Sequence, residues 1–98
     1  MKVQVQSIHF DADQKLIEFI QKKMDKLETF YDRSIDAEVI LKVNNGGVEN
    51  KTVEIKLNLP GEQLFANKTN GSFEAATDHC SEALRKQILK HKEKQTAH

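Results

Sequence analysis

A chain of 98 residues with 38% hydrophobic content is large enough for one folded domain with a single core and too small for two. Its 15 basic and 15 acidic residues cancel, which disfavours indiscriminate coating of nucleic acid or of a membrane. The single cysteine excludes an intramolecular disulfide, and the sequence has neither an apolar run of membrane-spanning length nor a signal-peptide pattern. We therefore expect a cytoplasmic protein with no membrane contact. We also expect one domain over residues 1–98, frayed at 94–98.

The first part of the chain predicts a strand followed by a helix. KVQVQS at residues 2–7 alternates apolar and polar side chains, which is typical of a strand covered on one face. Asp11 and Gln14 have the spacing of a capping box, and we expect a helix from Asp13 to about Phe30. The apolar stripe of this helix is Ile17, Ile20, Met24, Leu27 and Tyr31.

The second part predicts three strands and a second helix. DAEVILKV from Asp36 and KTVEIKLNL at residues 51–59 alternate in the same way, NNGG between them predicts a turn, and a weaker strand is expected near residues 63–68. We expect these strands to form an antiparallel meander. Ser72 is expected to cap the last helix. The buried stripe of that helix is expected to be Phe73, Ala76, Cys80, Leu84 and Ile88.

The predicted order β-α-β-β-β-α indicates an α+β fold. Because each strand has one apolar face and each helix one apolar stripe, the economical packing places both helices on one face of a four-stranded sheet. The opposite face is then open to water, and its mixed charge and near lack of aromatic side chains disfavour a platform for stacking RNA bases. The residues expected on that open face are Gln4, Gln6, Glu38, Ile40, Lys42, Thr52, Glu54, Lys56 and Asn58.

Basic residues are concentrated on the two predicted helices. Residues 1–82 hold ten basic and fourteen acidic residues, whereas residues 83–98 hold five basic residues against Glu93. If the helices lie side by side, their cations border one groove, a geometry that suits RNA phosphates without base readout. The cations are Lys15, Lys22, Lys23 and Lys26 on the first helix and Arg85, Lys86, Lys90, Lys92 and Lys94 on the last.

A second interpretation of these cations stays open. Lysines near the end of a helix complement its macrodipole and keep it soluble, whether or not they bind a ligand. The lysines of the first helix are interspersed with acids, and Glu18 has the spacing to pair with Lys22.

No catalytic or metal-binding set emerges from the sequence. The four histidines lack the spacing of a helical metal site, and NNGG and TNGS lack the frame of a nucleotide-binding loop. Cys80 lies in an apolar stripe, where a buried and unreactive thiol is expected, and Asp11 and Asp13 stand where helix capping explains them. We therefore expect that the protein is not an enzyme and that it binds no cofactor, metal ion or small-molecule substrate.

Two stretches of the sequence resemble a known family. They are KLETFYDRSIDAEVILKV at residues 26–43 and ALRKQILKHKEK at residues 83–94, joined by SFEAATD where the last helix begins. Together they resemble the short ribosome hibernation promoting factors, the family that includes the ribosome-associated inhibitor and the sigma-54 modulation proteins. The resemblance spans nearly the whole chain.

This resemblance implies a fold akin to double-stranded-RNA-binding domains. It also implies binding to the small ribosomal subunit and its ribosomal RNA, where messenger RNA and transfer RNAs would otherwise lie, and inhibition of translation in idle or starved cells by a monomeric protein. Longer relatives carry a second, dimerising domain, so pairing of ribosomes by this chain is not implied. The family's basic helix positions correspond to Lys22, Lys23, Lys26, Arg85, Lys86, Lys90, His91 and Lys92.

Two alternatives to a hibernation factor stay open. One is a double-stranded-RNA-binding module of related topology that is not specific to the ribosome, and sedimentation with ribosomes would separate it from the first interpretation. The other is a small enzyme such as an acyl phosphatase on a similar sandwich. That enzyme would need an anion-binding loop with an arginine and a catalytic asparagine, which the sequence does not display.

Overall fold

Four strands and two helices follow one another in the predicted order. The protein is described by a computed structural model that covers residues 1–31 and 36–96, with side chains described as far as Lys94. The elements are β1 (Lys2–Ile8), α1 (Gln14–Leu27), β2 (Asp36–Val43), β3 (Lys51–Leu59), β4 (Glu62–Asn70) and α2 (Phe73–Thr96). Residues 32–35, within the stretch that carries the resemblance, and residues 97–98 of the expected frayed tail lie outside the described part of the chain.

The strands form one mixed sheet in the order β1-β2-β3-β4. β1 and β2 are parallel, since α1 returns the chain along the sheet between them, and β2, β3 and β4 form the expected antiparallel meander. The register places Val5 beside Val39 and Val39 beside Ile55, so that apolar side chains of successive strands share one face. α2 lies over β3 and β4, and α1 packs against α2 and β1, which confirms two helices on one face.

The core lies between this sheet face and the helices. All five residues of the predicted α2 stripe are buried, from Phe73 to Ile88. The other four residues of the predicted α1 stripe are also buried, whereas Ile17 is half-buried and Leu16, one turn before Ile20, is buried in its place. Burial of each large aliphatic side chain contributes roughly 1.5–3 kcal/mol, and this term holds the helices to the sheet.

The start of α1 differs from the expected capping box. Asp13 is the N-cap, because its Oδ1 accepts a hydrogen bond from the backbone N–H of Leu16 at 2.8 Å. The box formed by Asp11 and Gln14 is therefore wrong, since α1 begins two residues later than that box requires. The Gln14 side chain instead donates to Glu18 at 3.5 Å.

The end of α1 also comes earlier than expected. The helix ends at Leu27 rather than near Phe30, because the N–H groups of Glu28, Thr29 and Phe30 bond to carbonyls three residues earlier. Such bonds form a tighter turn than the α-helix. This turn carries Phe30 and Tyr31 towards α2.

The open face of the sheet is held by cross-strand polar contacts. Lys42 Nζ donates to Glu54 Oε2 at 2.6 Å, and the Thr52 hydroxyl lies 2.8 Å from that of Thr69. Thr52 was expected to be exposed and is buried, because neighbouring polar side chains cover it. Phe65, opposite Lys56 in the register, adds one half-exposed aromatic side chain to a face that remains mixed in charge.

The assignment of the α1 cap can be tested by mutation. Asp13→Ala is expected to lower the free energy of unfolding by about 1 kcal/mol, because the N–H of Leu16 loses its acceptor. Asp11→Ala is the matched control, since Asp11 is exposed and is not the N-cap. Urea denaturation followed by circular dichroism measures both. Equal losses for the two variants would contradict the assignment.

Candidate nucleic-acid interface

A row of lysines runs along the exposed side of α2. Lys86, Lys90 and Lys94 are each exposed and follow one another about 6 Å apart along the helix axis. Within the described residues none of the three forms an ion pair. Their charges are therefore available to an external anion.

Position around the helix explains why these lysines are exposed. Each residue turns the helix by about 100°, so Lys86 lies about 200° from the buried Leu84. Arg85 lies about 100° from Leu84 and is turned to the side, towards α1. His91, about 300° beyond Ile88, returns to the edge of the buried stripe.

A surface groove of about 610 Å³ lies along the contact between α1 and α2. The helices run in the same direction, since Lys23 contacts Asp78 early in α2 whereas Phe30, after α1, contacts Arg85 farther along. Cations of both helices were expected to border one groove, and Lys23, Lys26 and Arg85 do so. The groove is lined by Lys23, Lys26, Leu27, Phe30, Asp78, Ser81, Glu82 and Arg85. The other predicted cations lie outside this lining.

Two acids of α2 accompany the cations in the groove. Asp78 Oδ1 lies 2.6 Å from Lys23 Nζ and so joins the two helices. Glu82 accepts two hydrogen bonds from the Arg85 guanidinium, one of them from Nε at 3.4 Å. The hydrogen bond from Arg85 lowers the pKa of Glu82, and the same contact raises the pKa of Arg85.

Sequence reasoning missed both of these acids. The spacing of Glu82 and Arg85 was a usable local signal, because residues three apart on a helix are neighbours. The contact between Lys23 and Asp78 joins different helices and has no such signal. The pairing suggested for Glu18 and Lys22 is not formed, and the Glu18 carboxylate accepts from Gln14 instead.

Lys23 and Arg85, the two cations that are paired with acids, also contact aromatic rings. Lys23 Nζ lies 5.4 Å from the centre of the Phe19 ring, and the Arg85 guanidinium carbon lies 6.0 Å from the centre of the Phe30 ring. Cations at this range are attracted to the ring face. Both charged groups therefore have a second contact that is independent of their acids.

His91 and Lys92 contact other segments of the protein, unlike the lysine row of Lys86, Lys90 and Lys94. The His91 side chain is 10% exposed, its Nδ1 contacts the Glu62 carboxylate of β4, and its ring meets the Tyr31 ring edge-on at 5.4 Å. Lys92 Nζ donates to the Phe30 carbonyl at 2.8 Å. Both side chains fasten the later part of α2 to neighbouring segments, which leaves little of the His91 ring for a ligand.

The Cys80 thiol belongs to the core. Cys80 is fully buried as expected, its thiol donates to the Val53 carbonyl at 3.3 Å, and burial raises its pKa to about 11. No three His, Cys, Asp or Glu side chains among residues 1–31 and 36–96 come together as a metal site. Neither α1 nor α2 combines the length and hydropathy of a membrane-spanning helix.

Comparison with known proteins decides the family. A family model described as sigma 54 modulation protein / S30EA ribosomal protein matches residues 3–96. The chain belongs to this family. The resemblance noted in the sequence is thereby confirmed.

Individual proteins similar to this chain match it over nearly its whole length. A ribosome hibernation promoting factor of Pseudomonas putida is 33% identical over 95 residues, which are 97% of this chain and 90% of that protein. One of Escherichia coli is 29% identical over 98 residues, 100% of both chains. A solved ribosomal subunit interface protein from Coxiella burnetii has a TM-score of 0.85 at 23% identity and covers 94% of this chain and 98% of that one, which supports the fold.

The structural role of Cys80 leads to a prediction with a pH dependence. Cys80→Ala is expected to lower the free energy of unfolding by about 1 kcal/mol at neutral pH, because a small buried side chain is lost. The pKa of the Cys80 thiol is 9.0 in the unfolded chain and about 11 in the folded protein. Between these two pH values the unfolded state therefore binds fewer protons than the folded state. Wild-type stability then falls with rising pH by up to about 1.4 kcal/mol per pH unit, a loss that the variant lacks.

The measurement is a pair of urea titrations at several pH values between neutrality and pH 11. The stability advantage of the wild type over Cys80→Ala is expected to shrink through this window. Other groups that titrate there are present in both proteins and largely cancel in the difference. An advantage that stays constant with pH would contradict the burial of the thiol.

Proposed function

We propose that this protein is a ribosome hibernation factor. It binds the small ribosomal subunit through ribosomal RNA, occupies the channel that messenger RNA and transfer RNAs use, and inhibits translation in idle or starved cells. Family membership and relatives named ribosome hibernation promoting factors support the proposal. The observation that carries it at the level of side chains is the open lysine row of α2.

The row suits recognition of an RNA backbone. Lysine ammonium groups act as mobile point charges, and each phosphate that they neutralise releases counterions from the RNA. Selection of one site on a large RNA then comes from the shape of two packed helices rather than from base reading. The proposed action is occupancy of a site, which requires no chemical step. The residues proposed to take part in RNA binding are Lys22, Lys23, Lys26, Arg85, Lys86, Lys90, His91 and Lys92.

These residues fall into three groups in the free protein. Lys22, Lys26, Lys86 and Lys90 are exposed and form no ion pair with another described residue, so they can make the first contacts. Lys23 and Arg85 are paired with acids and must exchange partners. His91 and Lys92 hold other segments, and their part in binding is chiefly to keep α2 in place.

The open face of the sheet is a poor candidate for the same task. Lys42 is already paired with Glu54, and Lys56 lies opposite Glu38 in the register. Opposite charges on one face give little net field at the distances that salt leaves unscreened. This contrast favours the helices as the docking side.

Sedimentation tests the proposed function directly. The protein is expected to travel with small subunits and intact ribosomes in a sucrose gradient, and to lower cell-free translation when added before messenger RNA. Absence from every ribosomal fraction at low salt would overturn the proposal. Binding to duplex RNA without binding to ribosomes would instead favour the general RNA-binding module, which the lysine row alone would also suit.

A second experiment tests the docking side. Lys86→Gln with Lys90→Gln is expected to weaken ribosome binding and to reduce the slope of log affinity against log salt by about 0.7 to 0.9 per lost phosphate contact. The fold should persist, because both side chains are exposed and glutamine is a good helix former. Lys2→Gln with Lys56→Gln is the control of equal charge on the open sheet face, where Lys2 alternates with the inward Val3 and Lys56 with the buried Leu57. Equal weakening by both pairs would mean that net charge alone matters.

A further inference from the structure

Three cations and two acids share the groove between α1 and α2. Lys23, Lys26 and Arg85 line it together with Asp78 and Glu82. Each acid holds one cation, since Asp78 binds Lys23 at 2.6 Å and Glu82 binds the Arg85 guanidinium. Two of the three positive charges are therefore compensated before any ligand arrives. Among the described residues the lysine row of α2 forms no ion pair, although Lys86 lies within reach of the Glu82 charge.

The acids are placed where a ligand would meet them. The side chains of Asp78 and Glu82 are 52% and 54% exposed, more than those of the cations that they hold, at 32% and 35%. Ion pairs this accessible to water are weak and exchange readily. A phosphate that enters the groove would displace each carboxylate and would also be repelled by it.

The cations would stay in place after such an exchange. Lys23 keeps its contact with the Phe19 ring and Arg85 keeps its contact with the Phe30 ring, and neither contact involves an acid. Arginine in addition offers donors in a planar fork that matches the oxygens of phosphate as well as those of carboxylate. The groove thus presents two prepared phosphate positions, each occupied by a carboxylate of the same chain.

We propose that Asp78 and Glu82 compete with RNA phosphates for Lys23 and Arg85, and that this competition limits the affinity of the interface and speeds release of the bound RNA. The inference rests on the proposed function and deepens it. A ligand that fills the groove must break both pairs, and both pairs re-form when it leaves. The bound state is therefore weaker, and shorter-lived, than the number of cations alone would suggest.

The test is removal of the two negative charges without a change of shape. Asp78→Asn with Glu82→Gln is expected to bind ribosomes about tenfold more tightly, since two exposed ion pairs no longer oppose binding. Dissociation, followed by dilution into excess unlabelled protein, is expected to slow by a similar factor. Circular dichroism checks the fold, and the single variants Asp78→Asn and Glu82→Gln replace the double variant if it unfolds.

Glu38→Gln with Glu54→Gln is the matched control. It removes the same charge from the open sheet face and likewise leaves a lysine, Lys42, without its acid. The control is expected to change affinity far less than the groove variant does. Equal tightening by both would overturn the proposal in favour of a net-charge effect, and unchanged or weaker binding by the groove variant would overturn it outright.

A double-mutant cycle assigns the effect to the pair itself. The gain from Asp78→Asn is expected to shrink when Lys23 is replaced by Gln, because Asp78 then has no cation to withhold and only its repulsion of the phosphate is removed. Persistence of the full gain in that background would overturn the proposal. Failure of the proposed function is recognised separately, since the wild-type protein would then be absent from ribosomal fractions, whereas failure of this inference leaves wild-type binding intact.

Discussion

Burial of one apolar stripe of α2 against β3 and β4 is the constraint on which the rest of the molecule depends. Cys80, Leu84 and Ile88 follow one another at four-residue intervals and are fully buried. Once these side chains face the sheet, the rotation of the helix about its axis is set. Lys86 and Lys90 must then lie on the far side, while Arg85 is turned towards α1. A packing requirement thus sets the direction in which the cations point.

The same packing makes the two sides of the molecule electrostatically different. On the open sheet face, basic and acidic residues of neighbouring strands compensate one another, as Lys42 and Glu54 do. On the helix side, a lysine row without ion pairs among the described residues runs beside a groove whose charges are largely paired. A neutral chain can therefore present one cationic surface, because salt screens its distant acids more strongly than its near cations.

The cations of the helix side fall into two kinds, according to whether an acid of the same chain already binds them. Lysines of the row are ready for an anion, whereas Lys23 and Arg85 bind one only after an exchange. For a factor proposed to store ribosomes and later release them, such an exchange favours reversible binding. The brace formed by His91 with Glu62 and Tyr31 keeps α2 in position for both kinds of contact.

Much of the fold could be predicted from the sequence, because it depends on local periodicity. The alternation at residues 51–59 determined a strand with one buried face, and the stripe from Phe73 to Ile88 determined which side of the last helix is covered. The row of Lys86, Lys90 and Lys94 followed from the same period of the helix. Errors arose where two local signals compete over a few residues, as Asp11 and Asp13 do for the start of α1.

Only the tertiary structure decided which charges are compensated. The partner of Lys23 is Asp78 on the other helix, and the partner of His91 is Glu62 on a strand. These contacts depend on how the elements are placed in space, and no periodicity in the chain records that placement. The sequence by itself therefore determined where the cations stand on their helices. The packing of α1 against α2 decided which of them remain open to a ligand, because a charge is compensated by what is near it in space rather than along the chain.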